Sequence, residues 1–175
     1  MRLKKFLINA VYNHRFKKLG IKHGKNCAIA KDVKNLWGKA KITIGDNVIL
    51  HSGVTFGGDG PINIESHSSV GANTWFYSSK EAGISIGEYT TIGPFCFFID
   101  SDHGIEKNIY IEHQKKTYGP IEIGSDCWIG THAVILKNTI LQNHCVAGAM
   151  SLLNKKYESN GIICGVPGKI IKWRQ

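Results

Sequence analysis

Eight histidines, five cysteines and thirteen carboxylates are the side chains of this 175-residue chain that could move protons, attack a carbonyl or hold a metal. A neutral imidazole is poised to accept a proton near neutral pH, so the histidines come first. His103 closes the run Asp100-Ser101-Asp102-His103, and such a base works better when an acceptor holds its second ring nitrogen. No CxxC pair occurs among the cysteines, which leaves zinc and redox readings weak, and no metal is expected.

These residues need a scaffold, and its signature is a six-residue rhythm. Each hexad opens with an aliphatic or aromatic residue, often followed by Gly, and places a small residue four positions later. The openers run Ile44, Leu50, Phe56; Ile64, Val70, Phe76; Ile86, Ile92, Phe98; Ile123, Ile129, Ile135; Leu141, Ala147, Leu153. His23, Ile29 and Asn35 form a weaker first coil, followed by a short insert containing Trp37. Such repeats bury their apolar face only by stacking on one another, the logic of an all-β solenoid. Three hexads make a triangular coil, so the sequence predicts a parallel β-helix of about six coils, roughly 30 Å tall at ~4.8 Å per strand. Phe56, Phe76 and Phe98 should stack inside. Cys27, Cys96, Cys127 and Cys145 take the fifth place of a hexad and read as space-filling thiols.

Steps longer than six follow Phe56, Phe76 and Phe98, always after a third hexad. Insertions therefore leave from one corner of the prism, and the longest, 99–122, carries His103. The expected layout is a helical cap over 1–22, the β-helix over 23–158 and a tail over 159–175. In the cap, Leu3, Leu7, Ala10 and Val11 share one face among basic residues; capping the open end of the solenoid is the main reading, and contact of 3–19 with an anionic membrane the alternative. Gly165-Val166-Pro167-Gly168 reads as a turn, with Lys169 to Trp173 as a short helix or extended tail. The formal charge of +9 gathers at the two ends, in Lys4, Lys5, Arg15, Lys17 and Lys18 and in Lys169, Lys172 and Arg174. It suits an anionic ligand or polymer, but no nucleic-acid motif accompanies it. No apolar run spans a bilayer, and free cysteines fit a reducing cytoplasm, so a cytoplasmic protein is expected.

The hexads, the long insertion with a histidine near its start, the run Ile123-Gly124-Ser125-Asp126-Cys127-Trp128-Ile129-Gly130 and the tail Gly165-Val166-Pro167-Gly168-Lys169-Ile170-Ile171 together resemble the hexapeptide-repeat acyltransferases. The likeness is to the galactoside/maltose O-acetyltransferase branch and its relatives that acetylate bacterial polysaccharides, and it covers residues 24 to the end. It implies a left-handed helix, a homotrimer and acetyl-CoA bound between adjacent prisms. It places His103 as the base that activates a sugar hydroxyl for direct attack on the thioester, with Asp100 or Asp102 as the favoured orienting group and Glu106, Glu112 or a backbone carbonyl as alternatives. His14, His23, His51, His67, His113, His132 and His144 lack that motif context and read as structural or solvent-facing. It further implies Trp128 beside the site and backbone amides near Gly130 and Thr131 as oxyanion donors. Gly148 and Ala149 would let the pantetheine arm lie along the prism, and Lys155, Lys169 and Lys172 would meet the CoA phosphates. At two positions the chain departs from the branch: Lys115 stands at the place of the family's orienting glutamate, and Tyr77 and Ser78 near that of its acceptor-side asparagine.

The reading that follows is acetyl-CoA-dependent O-acetylation of a carbohydrate in capsule, O-antigen or exopolysaccharide assembly, at the inner membrane face if the helix meets lipid. N-acetylation of an amino sugar nucleotide would use the same base and donor. A γ-type carbonic anhydrase would want a second histidine where Asn108 stands, and a solenoid without catalysis would not bind CoA.

Overall fold

In the computed structural model the backbone of residues 2–175 and the side chains from residue 10 onward are described. The hexad openers turn inward and the chain winds into a prism with three parallel β-faces. The first face stacks seven strands, from Lys22–His23 to Lys156–Tyr157. The second stacks seven parallel strands, from Ala28–Ile29 to Gly161–Cys164. The third stacks six, from Lys34–Asn35 to Leu152–Leu153. Every opener pairs with the opener one coil on: Ile44 with Ile64, Ile64 with Ile86, Ile86 with Ile123 on the first face, and Phe56 with Phe76, Phe76 with Phe98 on the third. His23, Ile29 and Asn35 pair in register with Ile44, Leu50 and Phe56, so the weak first coil is a true one.

The core follows from this register. From Ile44 to Leu153 all openers are buried, each Val, Leu, Ile or Phe among them adding about 1.5–3 kcal/mol of apolar burial. Phe56, Phe76 and Phe98 form an internal stack with centroids 5.5 and 4.6 Å apart. The glycines of the Ile-Gly pairs are set by coil-to-coil contact. A Cβ on Gly87 would lie 2.6 Å from the Gly124 carbonyl carbon, and one on Gly130 2.5 Å from the Ala149 nitrogen. Other corner positions take positive φ, which Asn, Asp and His tolerate best among residues with a side chain. His67, His132 and His144 are such corner residues, and His67 and His132 stack on Tyr89 and Phe95. Their role in turns is structural.

Both ends differ in detail from the sequence reading. Helix α1 (Arg2–Lys18) does sit on the first coil, but through Tyr12 and Phe16, with Leu19 just past its end. Phe16 is fully buried and stacks on His23 at 4.3 Å, and Arg15 donates to the Ile29 carbonyl at 3.0 Å. Ala10 and Val11 face outward, because the aromatic stripe buries more area than they could. The Leu3, Leu7, Lys4 and Lys5 side chains lie outside the described residues. At the far end, a step of four from Leu153 to Tyr157 breaks the hexad spacing, yet parallel pairing continues through Ile163. The chain then turns at Val166-Pro167 and Lys169–Trp173 returns antiparallel over Gly161–Cys164. The tail is thus a strand that covers the open edge of the second face, not a helix.

All four insertions, the short one with Trp37 included, leave the corner between the third and first faces. The longest opens and closes through a short antiparallel pair, Ser101–Asp102 with Thr117–Tyr118, and carries a 3-10 turn at Ile111–His113.

Candidate active site

The root of the long loop is built around Asp100. Its carboxylate is fully buried. One oxygen accepts the Ser79 N–H at 2.8 Å, the Gly83 N–H at 3.0 Å and the Ser78 hydroxyl at 3.3 Å, while the other accepts the Ser79 N–H at 3.0 Å. Its backbone carbonyl accepts the Gly119 N–H at 3.0 Å, so one residue ties both ends of the loop to the insertion of the preceding coil. Asp102 instead faces Lys137, with Nζ 3.6 Å from Oδ2.

His103 follows directly and stands exposed. Among the described residues neither ring nitrogen has a hydrogen-bond partner, and neither Asp100 nor Asp102 is bonded to it. Asp100 is committed to the backbone, Asp102 to Lys137, and Glu112 lies 3.4 Å from His113. Gln114 shapes the loop beyond it: it accepts the Glu106 N–H at 2.7 Å and donates to the Glu106 and Ile109 carbonyls. An unpaired imidazole on an anchored loop keeps a lone pair available for an incoming proton.

One expected residue stands apart from the loop, in company that was not expected. Trp128 stands outside the core, 57% exposed, on the second face between Thr91 and Val146. It lines an open groove of about 450 Å³ with Tyr89, Thr91, Asp126, Val146 and Arg174. Sequence reasoning missed this neighbourhood. Arg174 reaches back 48 residues to the Asp126 carboxylate at 3.0 Å, and His144 meets the same oxygen at 2.9 Å. These partners, His144 foremost, hold the Asp126 carboxyl below the usual carboxylate range.

The two amides expected at the corner between the second and third faces are not equivalent. Gly130 N–H is spent on the Ala147 carbonyl at 2.7 Å, whereas the N–H of Thr131 has no partner among the described residues. The N–H of Ala149, one coil on, is likewise free. A Cβ on Gly148 would sit 2.5 Å from the Cys164 sulfur, so a side chain there would have to displace that thiol. Lys155 is exposed with Nζ 5.7 Å from the Tyr157 ring, and Lys169 and Lys172 are exposed on the returning strand.

The buried cysteines are poor nucleophiles. Burial raises the Cys127 thiol to about 11, and the Cys27, Cys96 and Cys145 thiols upward as well. They stay protonated and donate inward, Cys145 to the Glu158 carbonyl at 3.0 Å and Cys96 to that of Gly130 at 3.2 Å.

No family model matches the chain. It is 28% identical over 156 residues to WbbJ of Escherichia coli K12, a candidate lipopolysaccharide biosynthesis O-acetyl transferase, covering 85% of this chain and 80% of WbbJ. It is 26% identical over 136 residues to the galactoside O-acetyltransferase of the same organism, covering 74% of this chain and 63% of that enzyme. Its fold superimposes on AntD, an N-acyltransferase from Bacillus cereus in complex with dTDP and 3-hydroxybutyryl-CoA. The TM-score is 0.79 at 25% identity, over 93% of this chain and 88% of the other. The prism is thus the left-handed β-helix of acyltransferases.

Proposed function

The chain belongs to the hexapeptide-repeat acyltransferases, and on that premise we propose that it is an acetyl-CoA-dependent O-acetyltransferase. Its acceptor is a sugar hydroxyl in surface polysaccharide assembly, and His103 is its general base. The observation that carries this reading is the exposed, unpartnered imidazole on a loop whose two ends are fastened through a buried carboxylate. The relatives, one a lipopolysaccharide O-acetyl transferase candidate and one a galactoside enzyme, support the acceptor class.

Acetyl-CoA supplies the activated acyl group. His103 takes the proton of the acceptor hydroxyl as its oxygen approaches the thioester, and later returns it to the leaving thiolate. The free Thr131 N–H, with that of Ala149 beside it, fits the role of donor to the developing oxyanion; such a donor is worth several kcal/mol. The Gly130 amide, already bonded, drops out of that role. Trp128 fits a wall for the donor, and Lys155, Lys169 and Lys172 fit its phosphates.

In one protomer the root of the His103 loop and the Thr131 amide lie at different corners of the prism. Asp102 pins the loop root to Lys137, and Lys137 lies six residues along the third face from Thr131. That span is on the order of 20 Å of extended chain. The site therefore closes between copies, as a homotrimer in which His103 of one protomer faces the corner of the next. The apolar outer side of the third face, with Trp75, Phe97, Val134 and Leu152 in one row, supports such packing. No described helix is long and apolar enough to cross a membrane. Exposed Lys17 and Lys18 beside the cap suit a cytoplasmic enzyme touching anionic lipid.

A second reading has its own support in the AntD superposition: N-acylation of an amino sugar nucleotide. Incubation with acetyl-CoA, a set of sugars and glycans, and a dTDP-amino sugar separates the two. Hydroxylamine-labile acetyl on a glycan is the expected product; a hydroxylamine-stable amide on the nucleotide sugar alone would replace our reading by the second.

A further inference from the structure

One surface groove is unexplained by the donor site or the base. It lies at the insertion corner, toward the N-terminal end, and is lined by Trp37, Lys39, Gly58, Asp59 and Tyr77. Trp37 sits in the short turn Leu36–Gly38 with φ 61, a conformation that bulky side chains rarely adopt. Other aromatics at positive φ, Tyr89 and Phe95, stack on a histidine of an adjoining coil. Trp37 does not. Its ring leans over Gly57 of the next coil to meet Tyr77, two coils on, edge to face at 6.4 Å, and remains 69% exposed. A Cβ on Gly57 would lie 3.3 Å from the Tyr77 ring, a tight contact, and 3.6 Å from Trp37, an ordinary one, so both rings lie against the wall at this glycine.

The polar rim is sparse and balanced. Asp59 accepts the Lys80 N–H through one oxygen at 3.1 Å, and the other oxygen has no partner among the described residues. Lys39 supplies one cation. With a single Lys and a single Asp, the groove has no charge excess to hold a diphosphate. Its volume, about 240 Å³, is below the usual range for a whole small-molecule ligand and nearer to that of one ring. Exposed aromatic faces beside hydrogen-bonding groups match a pyranose, whose C–H face is apolar and whose rim is all hydroxyl.

The groove is also in line with the base. Tyr77 pairs with Ile99, Asp59 holds the insertion at Lys80, and the next residue back, Ser79, is bonded to Asp100 at the root of the His103 loop. One to three coils separate groove and root, roughly 5–15 Å. We infer that the Trp37–Tyr77 groove is a carbohydrate subsite that grips a further unit of the acceptor. The acceptor is then a chain of sugars rather than a lone sugar nucleotide. This rests on the sugar acyltransferase reading above and narrows its substrate class.

The test uses a printed array of bacterial O-antigen and capsular oligosaccharides of one to six units, probed with wild type, Trp37→Ala and Trp37→Phe. Because Trp37 is exposed, its truncation should leave the melting curve in place, and that is checked first. Wild type should retain the longer oligosaccharides over single units. Trp37→Ala should lose that binding about tenfold or more, as anchoring aromatics do, and Trp37→Phe should keep most of it. No binding to any glycan, no preference for longer ones, or a Trp37→Ala protein indistinguishable from wild type would each overturn the subsite. Acetyl transfer to single sugars and to the same oligosaccharides is measured in parallel. Transfer without preference for longer chains sinks the subsite alone, while Trp37-dependent binding without any transfer sinks the transferase reading alone.

Discussion

Replacing Asp100 with Ala removes the acceptor that closes the root of the long loop, and the cost can be worked from its contacts. The Ser79 and Gly83 amides would lose their partner at a fully buried point, whereas the Ser78 hydroxyl keeps its bond to the Pro61 carbonyl at 2.9 Å. Two orphaned buried donors cost about 1–3 kcal/mol each. Relief from burying a charge offsets part of this, so a net loss of about 2–4 kcal/mol is expected. Asn should cost less, about 1–2 kcal/mol, because a single carbonyl oxygen placed where Oδ2 stands still accepts both amides. Urea unfolding at one fixed protomer concentration reads the difference, since an oligomer's stability depends on concentration. Limited proteolysis of residues 103–116 should accelerate in the same order. An Asp100→Ala protein within about 0.5 kcal/mol of wild type, the range of an ordinary surface change, would refute the anchoring argument.

Iodoacetamide at pH 8 should label the half-exposed Cys164 first and spare Cys96, Cys127 and Cys145 in the folded protein, read by peptide mass spectrometry; early labelling of Cys127, whose thiol is raised to about 11, would contradict its burial. The Asp126 carboxyl is lowered on folding by His144 and Arg174, so the clasp they form is complete above the unfolded carboxylate pKa and is lost as pH falls through the folded value. Protection of residues 169–173 against hydrogen exchange, taken relative to the intrinsic rate at each pH, should fall on acidification through that window, and Arg174→Ala should bring the fall to higher pH; identical profiles for the two proteins would refute the clasp.

Much of the fold was legible because a solenoid is a local code. Each hexad reports its own inward residue, and the corner of the insertions follows from where the count fails. The reading stopped where structure is set by distant partners. Tyr157 and Ile163 extend the prism after a four-residue step that no period announces. The tail forms a strand because the last edge of the second face needs a partner, a fact invisible in Lys169 to Trp173 alone. Asp100 and Asp102 looked alike beside His103, yet one is buried among amides from the preceding insertion and the other faces Lys137. The histidines had a signal that went unused: His67, His132 and His144 each fall where a corner needs positive φ.

The central claim is that His103 moves the proton. Its test is the steady-state rate of acetyl transfer by His103→Ala beside its affinity for CoA. The account predicts a fall in kcat of about 10²–10⁴-fold with CoA affinity within about twofold of wild type, since the imidazole carries the proton and takes no part in holding the donor. A variant that still turns over at a rate close to wild type would contradict it.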